Sequence, residues 1–187
     1  VPTPLLLSAH NDDEVLFAGY ICLRYKPFVI VCLRSAKQDA VWYPGGPIKA
    51  ETREAETQEA MAVLGCKWRQ WDVLDTDIDA YSKLYDHIRS LSRGDYDPVF
   101  APAVEEGGHE QHSMVGALAD RLFKHSTVRH YTTYVNGRGH TTSDERVPWE
   151  PGWQQLKLQA MTCYRSQMAS SACAHHFEHI HEEYLTA

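Results

Sequence analysis

An α/β fold, with a mostly parallel sheet covered by helices on both faces, is predicted by two features of the 187-residue sequence. Short apolar runs alternate with longer segments of helical character. The runs are continuous rather than alternating, as strands buried on both faces are.

Residues 4–9, PLLLSA, form the first run and read as a buried strand. Residues 14–25 follow as a helix, with Val15, Leu16, Ala18, Gly19, Ile21 and Cys22 at helical spacing. FVIVCL, 28–33, is short and rich in β-branched residues, a second strand. The loop after it ends in Gly-Gly-Pro. Residues 48–65 are rich in Ala, Glu and Gln, and Gly65 is a natural C-terminal stop for that helix. A third strand is expected within 67–74, an amphipathic helix up to Gly94, a fourth strand over 97–104, a helix over 113–126 and a fifth strand over 128–135. A polar loop, a helix over 153–169 and a His-rich tail complete the chain.

Composition narrows the function classes. The formal net charge is −7 with no basic block, which argues against an electrostatic reader of nucleic acid. Cys22, Cys32, Cys66, Cys163 and Cys173 form no C-x-x-C pair, so they read as free thiols of a reducing cytoplasm. No signal-peptide pattern is visible and no apolar run nears the ~18 residues of a membrane span. The expected location is therefore cytoplasmic.

In parallel sheets of this kind ligands bind at the carboxyl ends of the strands. Two clusters fall there: HNDDE, 10–14, after the first strand, and EEGGHEQH, 105–112, after the fourth. His10 and Asp13 can be aimed at one point by a strand-to-helix turn, and His112 can supply a third ligand. Two imidazoles and a carboxylate make a catalytic zinc set with a position left for water, whose pKa falls to ~7 on the metal. Asp12 can take that water's proton. His109 can steady an oxyanion or protonate a leaving amine. Together these parts describe metal-assisted hydrolysis of an acyl bond. The competing reading is helix capping, which acidic residues in a first turn perform routinely. HEQH is not H-E-x-x-H, so the zincin arrangement does not apply.

The motifs also carry a resemblance. AHNDDE resembles the A-H-P-D-D-E signature of the PIG-L (LmbE-like) zinc-dependent N-deacetylases, and GGHEQHSMVG resembles that family's second signature. Arg53, Glu56, Ala60, Leu64 and Gly65 meet its RxxExxxAxxxLG pattern, and KLQAMTCYRSQ, 157–167, its late segment. The resemblance implies a Rossmann-like α/β fold and one deacetylase-like domain over 1–187, with a His-rich helical tail from about 174 to 187. It implies a hydrolase that removes the acetyl group from an N-acetylglucosamine-type small molecule or glycoconjugate, by attack of zinc-bound water on the amide carbonyl. It implies zinc, one per chain, on His10, Asp13 and His112, with Asp12 as base, His109 as oxyanion stabiliser or acid, and Arg53 against the sugar; another divalent metal is the alternative, since affinity alone does not select zinc.

This sequence departs from the pattern twice. Asn11 replaces a proline, which a turn tolerates. Gln111 replaces an aspartate that can pair with the first histidine of the second signature. Glu105, Glu106 or Glu110 is expected to take over, or His109 acts as a neutral donor. Glu14 is left as cap or support of the site. Trp42 and Tyr43, near the same sheet edge, offer aromatic faces to a sugar or anchor their loop. The tail HHFEHIHEEY, from His175 to Tyr184, is a solvated helix or a second metal site. Arg165, Ser166 and Gln167 support the site or a contact between copies in a homo-oligomer.

Three rivals stand beside the deacetylase. One is a metal-dependent amidase on a non-sugar substrate. Another is a non-catalytic carbohydrate-binding relative. The third, a nucleotide-binding Rossmann domain, lacks its G-x-G-x-x-G after the first strand.

Overall fold

The computed structural model describes residues 1–35, 48–133, 145–169, 173–178, 180 and 182–186. The described strands are β1 (Thr3–Ser8), β2 (Phe28–Val31), β3 (Trp68–Gln70), β4 (Tyr96–Pro102), β5 (Val128–Tyr131), β6 (Glu145–Arg146) and β7 (Tyr184–Leu185). They form one sheet in the order β3-β2-β1-β4-β5-β7-β6. β1 to β5 pair in parallel, with Leu5 opposite both Phe28 and Val99. β7 runs antiparallel to β5 and β6.

Side-chain alternation along β1 builds two cores. Leu6, with Val29 and Phe100, faces helices α1 (Asp13–Leu16), α2 (Gly19–Tyr25), α3 (Ala50–Leu64) and α6 (Trp153–Met161). Leu5 and Leu7, with Ile30 and Val99, face α4 (Ala80–Leu91) and α5 (Glu110–Leu122). The last helix, α7 (Arg165–Met168), docks on α3, where Glu56 accepts hydrogen bonds from the Ser166 amide at 2.7 Å and its hydroxyl at 2.6 Å. The strand order turns between β1 and β4, so the crevice for a ligand opens at their carboxyl ends.

Three expectations are corrected. The helix expected over 14–25 is two helices, because partners from far along the chain satisfy the backbone at the break. Lys157 Nζ donates to the Leu16 carbonyl at 2.9 Å, and Glu183 accepts from the amides of Tyr20 at 2.7 Å and Ile21 at 3.1 Å. Lys157 and Glu183 are themselves a fully buried ion pair at 2.6 Å. The helix expected over 153–169 also divides, at Tyr164, whose hydroxyl turns inward to Glu14 and to Thr57. Finally, the tail is not a helix. Its described part holds one 3-10 turn, Ala174–Phe177, and the strand β7; His179 and His181 lie outside the described residues.

Candidate metal and catalytic site

The first cluster is made by a turn that leaves β1 and at once starts α1. Asp12 sits at the N-cap with φ of 101°, a conformation uncommon for any residue but glycine. Several neighbours hold it there. Its amide donates to Glu14 Oε2 at 3.1 Å, and its carbonyl accepts from Val15 and Leu16 at 3.0 and 2.9 Å. Arg53 Nη2 reaches Asp12 Oδ2 at 3.1 Å and also donates to the Asn11 carbonyl. Asn11 is fully buried, with its amide paired reciprocally with that of Gln70 at 3.1 and 3.2 Å and donating to Thr57 at 2.8 Å. The residue that replaces a proline thus anchors the turn by hydrogen bonds instead of by a ring.

The second cluster starts α5. That helix begins at Glu110, three residues earlier than expected, with His109 as its N-cap accepting from the Gln111 amide at 3.3 Å. The helix lies close on β4 because Gly116 has no side chain: a Cβ there would meet the Pro102 carbonyl oxygen at 2.2 Å. This contact carries His112 under the end of β1.

His10, Asp13 and His112 converge. Asp13 Oδ2 lies 3.3 Å from His10 Nδ1 and 3.0 Å from His112 Nε2, and the two ring nitrogens are 3.2 Å apart. They are the one group of potential metal ligands among the described residues. Zinc bonds of about 2.0–2.2 Å in a tetrahedral arrangement put neighbouring donors roughly 3.3 Å apart, so the donor set fits the ion in type and in spacing. His109 stands at the mouth, its ring 5.0 Å from that of His10 and 4.8 Å from that of His112.

Burial divides the acidic residues electrostatically. Burial raises Asp12 to about 6, with Arg53 opposing and Asp13 adding to the rise. Burial also acts to raise Asp13, but the charge and hydrogen bond of His112, with His10 adding, outweigh it and hold Asp13 well below the usual carboxylate range. Burial pushes Glu14 up to about 8, against the hydrogen bond from Tyr164. For His112 burial disfavours the cation, yet the Asp13 carboxylate prevails and its pKa is raised. Neighbouring carboxyl groups in one sequence run therefore hold their protons very differently.

The structure brings together His10, Asp12, Asp13, His109, Gln111 and His112. Trp42 and Tyr43 lie outside the described residues. Arg53, expected against the sugar, is buried beneath Asp12, and its described contacts are with the protein. Gln111 does not direct its side chain to His109. Its Oε1 is 2.6 Å from His10 Nε2, while its amide nitrogen donates to the Asp75 carbonyl at 2.8 Å. Residues missed by sequence reasoning are Gln70, Thr57 and Asp75; Tyr164 lay within the late motif, but its contact with Glu14 was not foreseen.

A Rossmann-like α/β fold with a His–Asp–His cluster at its switch point defines the class. The PIG-L family model, GlcNAc-PI de-N-acetylase, matches residues 5–123, and the chain belongs to that family. No curated protein matches the sequence significantly. Among solved structures, the chain is similar to a deacetylase triple mutant, Orf2*T, from the teicoplanin biosynthetic pathway. The two are 22% identical over 89% of this chain and 83% of that one, with a TM-score of 0.74. It is similar to N,N'-diacetylchitobiose deacetylase from Pyrococcus horikoshii at 19% identity, 89% and 70% coverage and a TM-score of 0.63. It is also similar to GalB, the 4-carboxy-2-hydroxymuconate hydratase of Pseudomonas putida KT2440, at 15% identity, 100% and 95% coverage and a TM-score of 0.66. No described helix is long and apolar enough to cross a membrane.

Proposed function

We propose that the chain is a metal-dependent N-deacetylase, a single domain that hydrolyses the acetamide of an N-acetylglucosamine-type small molecule or glycoconjugate. The observation that carries this reading is the convergence of His10 Nδ1, Asp13 Oδ2 and His112 Nε2 within 3.0–3.3 Å of one another, with the Asp12 carboxyl in the adjoining residue. His10, Asp13 and His112 would hold the ion, and zinc suits the donors. A divalent metal there acidifies water and polarises an acyl oxygen.

The protein's own residues supply the rest. Asp12 accepts the proton of the attacking water, and Arg53 fixes the direction of its carboxyl. His109, exposed at the mouth, donates to the oxyanion and then protonates the departing amine. The products are acetate and the free amino sugar. Likeness to a teicoplanin-pathway deacetylase and a chitobiose deacetylase supports an N-acetylated sugar as the substrate. Trp42 and Tyr43 remain proposed as its aromatic platform, and a cytoplasmic, membrane-free setting is proposed with it.

The likeness to a hydratase over nearly the full length of both chains favours a second reading, since one fold hosts several reactions. On that reading the same ion and Asp12 direct water to an unsaturated acid. One assay separates them. Purified protein is offered a panel of N-acetylated amino sugars, non-sugar acetamides and unsaturated hydroxy acids, with zinc and with chelator. Acetate release from the sugars, lost with chelator and restored by metal, is expected. Turnover of the acids alone would overturn the deacetylase.

A further inference from the structure

Resting on the metal-site reading above, we infer that Gln111 is a positioning residue, an amide clamp that holds His10 in the tautomer presenting Nδ1 to the ion. The chain of reasoning begins at a backbone atom. A carbonyl oxygen only accepts, so the group 2.8 Å from the Asp75 carbonyl must be the Gln111 NH2. That settles which way the amide points. Its oxygen is then the atom 2.6 Å from His10 Nε2, and Nε2 must carry a hydrogen to meet it.

A neutral imidazole has one N–H. With Nε2 as the donor, Nδ1 keeps its lone pair, and Nδ1 is the atom that faces Asp13 Oδ2 at 3.3 Å and His112 Nε2 at 3.2 Å. The clamp also fixes the ring plane, because Gln111 is held at both ends: by the first turn of α5 and by the loop after β3. A third strand of the sheet thereby acts on the metal ligand without touching it. Groups that hydrogen-bond to a ligating histidine orient the ring and set its tautomer. The position that looks like a lost aspartate partner of His109 is, in this chain, a partner of His10.

The test uses the metal-free and zinc-loaded protein, and neither readout is turnover. Nitrogen-15 NMR of the histidine rings in chelator reports which His10 nitrogen is protonated, and competition with a chromophoric chelator reports zinc affinity. The wild type is expected to show His10 protonated at Nε2 and to bind one zinc. Q111M, close in volume but without an acceptor, is expected to lose the single tautomer and about 10–100-fold in zinc affinity. Q111E keeps an acceptor for Nε2 but loses the donor to the Asp75 carbonyl, and is expected to restore the single tautomer and part of the affinity. Q111S carries the same expectation as Q111M should that variant not fold. Zinc binding and His10 signals unchanged in Q111M, or Q111E as impaired as Q111M, would overturn the clamp alone. A wild type that binds no zinc would overturn the metal-site reading with it.

Discussion

The two strand ends that meet at the site are built in opposite ways. From Asn11 to Glu14 the junction after β1 is buried, with Asn11, Asp12 and Glu14 held by side chains from α3, β3 or the segment before α7 and Asp13 by His10 and His112. The junction after β4 is more open: Val104, Glu106, Gly107, His109 and Glu110 are all exposed, and Ala103 and His112 are its buried residues. The difference teaches which tasks need a rigid frame. On the proposed mechanism, a base and two ion ligands must hold their geometry before substrate arrives. A group that meets a developing oxyanion or a leaving amine has to sit where substrate enters.

The sharpest way to break this comparison is Asp12→Ala. It is expected to lower turnover by about 10²–10⁴-fold while the protein still binds metal. Acetate release and metal analysis on one preparation check both halves. His109→Ala is next, with an expected loss of about 10²–10³-fold in kcat and a small fall in melting temperature, since the exposed residue also caps α5 through the Gln111 amide. A melting temperature that falls by more than a lost cap explains would show the open junction to be structural as well.

Tyr164→Phe probes the buried side without touching the ligands. It removes the hydroxyl that serves both Glu14 and Thr57, and about 1–3 kcal/mol of unfolding free energy is expected to go with it, read by chemical denaturation. The smallest effect is on pH dependence in chelator. Glu14 titrates at 4.5 ordinarily and about 8 when folded, so its contribution is full below 4.5 and is lost as pH rises through 8. Asp12 acts in the same sense but only up to about 6. Stability is therefore expected to decline from about pH 4 to 8 in the wild type, and Glu14→Gln to flatten the decline above about 6, where Asp12 no longer contributes; parallel melting curves would refute the assignment.

Much of this was legible in the residues. Continuous apolar runs gave away the parallel strands, and a parallel sheet alone places residues 10–13 and 109–112 on one edge. The helix breaks were not legible: the first depends on Lys157 and Glu183, more than a hundred residues from the backbone that they satisfy, and the second on Tyr164 reaching Glu14 and Thr57. Nor was the start of α5, because histidine is not among the common cap residues. Gln111 shows the limit most clearly. Its residue type says that it is neutral and bifunctional, but which histidine it serves is decided by one carbonyl in the loop after β3.

The buried Lys157–Glu183 pair also separates two ideas of what a domain is. The span that identifies the family, 5–123, contains every proposed ligand and the proposed base. Expressed by itself, that stretch would leave the last carbonyl of α1, two opening amides of α2 and the Glu14 carboxyl without the groups that complete them. The stretch that can be recognised is shorter than the stretch that can hold its shape. A screen for minimal active fragments should therefore retain the segment that carries Lys157, Tyr164 and Glu183, even though none of them faces the substrate.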